Sequence, residues 1–332
     1  MAFKGIVTFT FRMEVFPINK KERVIAAVRG QKIDYIPAGL WMHFPAQMHH
    51  GIEAVKAHIK FYRETGTDIL KVMNENLMPL NPIAKADDWK HIKPISLNSD
   101  YVKDQLEIIK RVKDEIKDEA VILATIHGVV ASAFHSCKDP STYDTEGGVL
   151  QKHLQEKPQI VGNAFRILAE GLAQLSQACI EAGADGIYYA TLGGETYRFT
   201  DEEFYKYIKP NDLYILDAVS HVPGFNVLHM CKDRLNLSRY KDYPTEVVNW
   251  SVHADNPPLT DADKLFPGKA VLGGLDSSAG PIVSGTLKDI EKEVQNTIDS
   301  MKGFKFILGG DCTLPTGIPY ERIRKAIETS RN

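Results

Sequence analysis

The chain has 332 residues, 43% of them hydrophobic and 25% charged, with 40 Lys and Arg against 43 Asp and Glu. This near-neutral balance, with no basic block and no acidic tail, excludes nucleic acid and anionic membrane as leading partners, and four cysteines in so long a chain exclude a disulfide scaffold. No apolar stretch approaches the roughly 20 residues of a membrane span, and the opening MAFKGIVTFTFRMEVF is too short and too aromatic for a signal peptide, so a cytoplasmic protein is expected.

Beyond an N-terminal extension at 1–18, helical and apolar segments alternate. KKERVIAAVRG (20–30) has helical periodicity and precedes the apolar run IPAGLWM (36–42); helix GIEAVKAHIKFYRETG (51–66) precedes DILKVMN (68–74); helix SDYVKDQLEIIKRVKDEI (99–116) precedes VILATIH (121–127). NAFRILAEGLAQLSQACIEAG (163–183) leads into DGIYYAT (185–191), and FNVLHMC (225–231), EVVNWSV (246–252) and AVLGGLD (270–276) follow. Helix LKDIEKEVQNTIDSMKG (287–303), the run FILGGDC (306–312) and helix PYERIRKAIETS (319–330) complete the pattern. Near-continuous hydrophobicity suits strands buried on both faces. Eight such strands alternating with helices predict an α/β protein with a (β/α)8 TIM barrel as a single domain over 19–332. A doubly wound sheet is the rival, but no G-x-G-x-x-G follows any strand.

Barrel catalysis is placed at the carboxyl ends of the strands. Those ends carry His43, Asn74 and Glu75, His127, Tyr189, His229 and Cys231, His253, Asp276, Asp311 and Cys312. Residues i and i+2 of a strand share a face, so His229 and Cys231 converge from one rigid element, and closure returns Cys312 to the same rim. One imidazole and two thiolates select zinc, and three protein ligands leave the fourth position for a substrate. Cys137 and Cys179 read instead as small buried hydrophobes. For His43, His49, His50 and His127, pocket roles compete with solvated or hydrogen-bonded ones. The glycine pairs in TLGGE, LGGLD and LGGDC fit either ligand approach or tight turns, and KDEIKDEA reads as a solvated charged face. The long connections 129–182 and 192–224 are expected to cover the mouth.

The segments KKERVIAAVRGQKIDYIPAGLW, GADGIYYATLGGETYRFTDEEFYKYIKP, AVLGGLDSS and GGDCTLPTGIPYERIRKAIE, in this order, resemble the uroporphyrinogen decarboxylase superfamily, which includes the decarboxylase and zinc-dependent thiol methyltransferases. Both are (β/α)8 barrels. HMC at 229–231 with GGDC at 309–312 is similar to the H-x-C…C zinc signature of the coenzyme M methyltransferases and of cobalamin-independent methionine synthase. The resemblance implies His229, Cys231 and Cys312 as zinc ligands, methylcobalamin as methyl donor, a small thiol as acceptor and a corrinoid protein as partner; a homodimer is one assembly the sequence leaves open. The chain departs from the decarboxylases: LWMHFPAQMHH has no arginine where they carry several, and Glu75 stands where they have an essential aspartate. It also departs from methionine synthase, with NWSVHAD where a glutamate ligand is expected; His253, Asp255, Glu75 or water are the substitutes.

A thiol of pKa near 8.5 is mostly protonated at neutral pH, yet only the thiolate attacks a methyl carbon. Zinc solves this, and two cysteinates cancel its charge so that a bound thiolate stays nucleophilic. The expected function is zinc-dependent methyl transfer from a methylated corrinoid to a small thiol, with Glu75, Tyr189 and Asp276 as candidate catalytic residues. A metal-free decarboxylase of a tetrapyrrole is the first alternative, separated by arginine supply at the pocket. A non-catalytic metal- or corrinoid-binding accessory is the second, separated by a fourth protein ligand closing the tetrahedron.

Overall fold

The computed structural model describes residues 18–75, 82–137 and 148–332; the expected extension at 1–18 lies outside these residues except for its last position. Eight strands follow one another: β1 (Ala38–Gly39), β2 (Ile69–Val72), β3 (Val121–His127), β4 (Gly186–Thr191), β5 (Val227–Met230), β6 (Val247–Trp250), β7 (Ala270–Leu275) and β8 (Phe306–Gly310). Each of the eight runs read from the sequence contains one of them. All pair in parallel in the order β1-β8-β7-β6-β5-β4-β3-β2. The remaining seam is bridged by the Asp68 N–H donating to the Ala38 carbonyl at 2.9 Å, so the sheet is a nearly closed (β/α)8 barrel.

β1 is much shorter than the run IPAGLWM because Pro37 offers no N–H, although its carbonyl accepts from Leu308 at 2.9 Å. The chain then continues beside the segment after β8: Leu314 donates to Trp41 at 3.0 Å, and His43 donates to Leu314 at 3.1 Å.

At the amino-terminal ends of the strands, ladder N–H groups need acceptors. Side chains just before the next strand supply them. Asp68 accepts from Ala38 N–H at 2.9 Å, Asp185 from Ile122 at 2.9 Å, Asn226 from Ile187 at 3.0 Å, and Glu246 from Asn226 at 2.8 Å. This polar ring leaves the opposite rim free for chemistry.

The outer helices bury one stripe each, as in Asp100–Ile116, where Val102, Ile108, Ile109, Val112 and Ile116 face the sheet. Ser99 caps that helix, and Asn19 and Thr286 close reciprocal capping boxes with Glu22 and Asp289. The connections read as loops are largely helical: Val129–Ser136 and Val149–Glu156 are helices, Pro158–Glu181 extends the expected 163–183, and Lys209–Asp217 occupies part of 192–224. Three of these helices are only eight or nine residues long, too short to give a sustained 3.6-residue period. Among the described residues no helix is long and apolar enough to cross a membrane.

Gly274, in β7, has φ +108, and a Cβ there would lie 2.4 Å from the Thr297 methyl. This glycine of LGGLD therefore serves strand-to-helix packing. Gly186 is tighter still: a Cβ would fall 1.9 Å from the Phe225 carbonyl oxygen. Backbone cannot rotate away as a side chain can, so Gly186→Ala is expected to cost more than the roughly 1–3 kcal/mol of ordinary overpacking. Thermal unfolding and soluble yield test this; a wild-type midpoint would contradict it.

Candidate metal centre

His229, next to last in β5, faces into the barrel, and Cys231 follows two residues later with its N–H donating to the Thr191 carbonyl at 3.3 Å, which extends the β5–β4 ladder. Cys312 lies just beyond β8, where Asp311 N–H donates to Leu275 at 2.9 Å and the Cys312 N–H donates to Ser277 Oγ at 3.1 Å. The three ligand atoms lie within 4.8 Å of one another. The sulfurs are 4.0 Å apart, and His229 Nε2 is 3.4 Å from Cys312 Sγ.

Tetrahedral zinc, with Zn–S about 2.3 Å and Zn–N about 2.0–2.1 Å, spans S···S edges of about 3.8 Å and S···N edges of about 3.5 Å. The Cys231–Cys312 and Cys312–His229 separations are close to two edges of this tetrahedron, and the third pair, Cys231 and His229, lies within 4.8 Å. Cys312 is the more acidic thiol: it accepts from Cys231 and lies against the His229 imidazole, and these contacts outweigh burial and hold it well below the usual thiol range. Cys231, as the donor in that pair and buried, is pushed well above it.

Asn249 in β6 fixes the imidazole. Its Nδ2 donates to the Leu272 and Gly310 carbonyls at 2.8 and 3.1 Å, so Oδ1 turns to His229 Nδ1 at 2.5 Å and accepts from the Tyr188 hydroxyl at 2.9 Å. An acceptor at Nδ1 requires the proton there, so Nε2 is the ring nitrogen turned to the sulfurs and the one that would ligate a metal. Tyr188 also stacks on His229, ring centroids 5.2 Å apart at 24°. Sequence reading identified neither Asn249 nor Tyr188.

Above the ligands opens a cavity of about 320 Å³, lined by His43, Lys71, Glu75, Thr125, His127, His135, Tyr188, Thr191 and the three ligands among others. Burial penalises ionisation of Glu75, but His43 Nδ1 at 2.9 Å and the Phe44 N–H at 3.0 Å outweigh it and hold the carboxyl below its ordinary range. Burial pushes His127 down to about 3, which keeps it neutral. Lys71, on β2, is brought down to about 8 by burial, partly opposed by the Cys312, Glu75 and Cys231 charges. It too escaped the sequence reading, although a lysine inside the apolar run DILKVMN was the signal.

Of the three candidate catalytic residues, only Glu75 reaches this cavity. Tyr189 points the opposite way from Tyr188, out of the barrel, and its hydroxyl donates to buried Asp212 at 2.5 Å, beside Tyr243 at 2.9 Å. Desolvation raises Asp212 to about 7 despite those donors. Asp276 accepts from the Ser278 and Ala279 N–H groups at 2.8 and 3.1 Å and so shapes the turn after β7. Strand alternation decides the Tyr189 case, because adjacent residues of a strand cannot share a face, and the turn after β7 decides that of Asp276. His253 is drawn to Asp311, its Nδ1 and backbone N–H both within 2.9 Å of Oδ2, and that contact raises its pKa. Neither His253, Asp255 nor Glu75 joins the cluster, which has three members among the described residues. Cys137 and Cys179 are buried, and desolvation pushes both up to about 12, in keeping with inert thiols.

The family model for uroporphyrinogen decarboxylase matches residues 65–332, and the chain belongs to that family. The methylcobamide:CoM methyltransferase MtbA of Methanosarcina acetivorans is 24% identical over 257 residues, 75% of this chain and 69% of that protein. A uroporphyrinogen decarboxylase of Prochlorococcus marinus is 22% identical over 276 residues, 80% of this chain and 74% of that one. The solved structure of a methyltransferase from Methanosarcina mazei superposes with a TM-score of 0.72 at 17% identity, covering 94% of this chain and 98% of that one, so the two share a fold.

Asn249→Ala is expected to weaken zinc binding about 10–100-fold, the usual effect of losing the partner that orients a ligating imidazole. Tyr189→Phe should leave zinc affinity within about twofold while lowering stability by roughly 1–3 kcal/mol through the buried Asp212 it deprives of a donor. Chelator competition and thermal unfolding measure both; a reversed order would contradict the assignment.

Proposed function

We propose that this chain is a zinc-dependent methyltransferase that transfers a methyl group from a methylated corrinoid, carried on a partner protein, to a small thiol. The observation carrying this reading is the His229–Cys231–Cys312 cluster, whose ligand atoms lie within 4.8 Å of one another at the wall of a cavity. The names of the Methanosarcina relatives support the same class of reaction.

When bound, zinc would supply the Lewis acidity that keeps a substrate thiol deprotonated at neutral pH. The chain supplies the rest. Asn249 and Tyr188 hold the imidazole as a neutral ligand, so that with two thiolates the ligand set cancels the divalent charge and adds no excess. His127, kept neutral, adds no competing cation at the cavity wall. Helix Val129–Ser136 contributes Ala131 and His135 to that wall, which screens the sulfur from bulk water.

The same geometry argues against tetrapyrrole decarboxylation. No arginine is among the described residues that line the cavity, whereas a substrate with many carboxylates calls for several guanidinium groups. It also argues against a purely structural zinc, because such sites are closed by a fourth protein ligand.

Elemental analysis should find about one zinc per chain, absent from Cys231→Ser and Cys312→Ser. The wild type should methylate a thiol with methylcobalamin, and both variants should lose more than about 100-fold of that activity. A metal-free wild type that cannot be loaded with zinc would overturn the reading.

A further inference from the structure

The inner face of β2 presents a cation that neither the fold nor the zinc ligands account for. Lys71 is 4% exposed. It reaches the cavity between two aromatic rings, its Nζ 5.0 Å from the centre of Trp41 and 4.3 Å from that of Tyr188, and none of the described residues offers it a hydrogen-bond acceptor. It is also the one lysine or arginine among the described residues lining the cavity.

Burying an ammonium is costly unless an opposite charge or acceptors replace its water. The anions nearby are already committed. Glu75 receives His43 on one oxygen and the Phe44 N–H on the other. The thiolates of Cys231 and Cys312 belong to the metal whenever the site is filled. The aromatic faces stabilise the cation in part, but they leave its N–H donors unused. A solvated lysine would be the cheaper choice on this strand, so the position calls for an occupant that brings its own negative charge.

We propose that Lys71 is the specificity-determining residue of the cavity and seats the anionic group, carboxylate or sulfonate, of a substrate whose sulfur lies at the His229–Cys231–Cys312 end. This rests on the thiol methyltransferase reading. The anion is held by charge-assisted hydrogen bonds from Nζ, and the wall formed by Trp41 and Tyr188 excludes water from the pair. An acceptor thiol lacking the anion would leave the ammonium unpaired in the closed cavity and would be discriminated against, as analogues that strand a buried polar group are.

The test uses unreactive, product-like thioethers so that it does not depend on turnover. Zinc-loaded protein is titrated calorimetrically with 3-(methylthio)propanoate and with 3-(methylthio)propan-1-ol, for the wild type, Lys71→Met and Lys71→Arg. The wild type should bind the acid at least about tenfold more tightly than the alcohol, Lys71→Met should lose that preference, and Lys71→Arg should keep most of it, which rules out misfolding as the cause. Equal binding of the two ligands by the wild type, a preference that survives in Lys71→Met, or no binding of either would overturn the proposal. Failure of the methyltransferase reading shows separately, as absence of methyl transfer from methylcobalamin to 3-mercaptopropionate by a protein that still prefers the acid.

Discussion

Closure of the barrel is the constraint on which the rest of the molecule depends. Cys231 and Cys312 are 81 residues apart in the chain, and their sulfurs come within 4.0 Å because β5 and β8 belong to one ring of parallel strands. The closure is secured at the opposite end, where Asp68, Asp185, Asn226 and Glu246 accept the N–H groups that the staggered strands leave over. Stability is thus concentrated at one face and reactivity at the other. The weakest seam, between β1 and β2, is also where the cavity acquires Lys71 and Glu75.

The cluster is organised beyond its ligands. Asn249 bonds to two carbonyls, one imidazole and one hydroxyl, all buried. Each of its polar atoms has a partner, so it adds rigidity without stranding a polar group in the core. Under the proposed function, two thiolates and one neutral imidazole would balance a divalent ion, and Lys71 is the cavity cation to which no described residue offers a hydrogen-bond acceptor. Under that proposal the metal ligands come from β5 and the segment after β8, and the cation from β2.

The sequence shows much of this. Strand runs stand out because both faces are buried, and H-x-C on one strand places two ligands on one side by alternation alone. The period of two that identified the ligands cannot by itself say which of Tyr188 and Tyr189 faces inward, since both sides of β4 are apolar. Register resolves it: Ala190 pairs with His229, so Tyr188, two residues back, shares its side. Asn249 was hidden for a related reason, as an asparagine in NWSV carries no signal until the His229–Asn249 pairing is known. The helix Pro158–Glu181 was legible, while the short helices Val129–Ser136 and Val149–Glu156 were missed, each only eight residues long, and Asp276 was read from its position at a strand end although its carboxylate is committed to the turn that follows.

The most direct test of the account is X-ray absorption at the zinc edge on the loaded protein, before and after addition of a thiol. The account predicts two sulfur neighbours at about 2.3 Å with nitrogen or oxygen at about 2.0–2.1 Å, and a third sulfur once the thiol is present. A first shell that stays the same when thiol is added would show a closed site and would contradict a catalytic role for the His229–Cys231–Cys312 cluster.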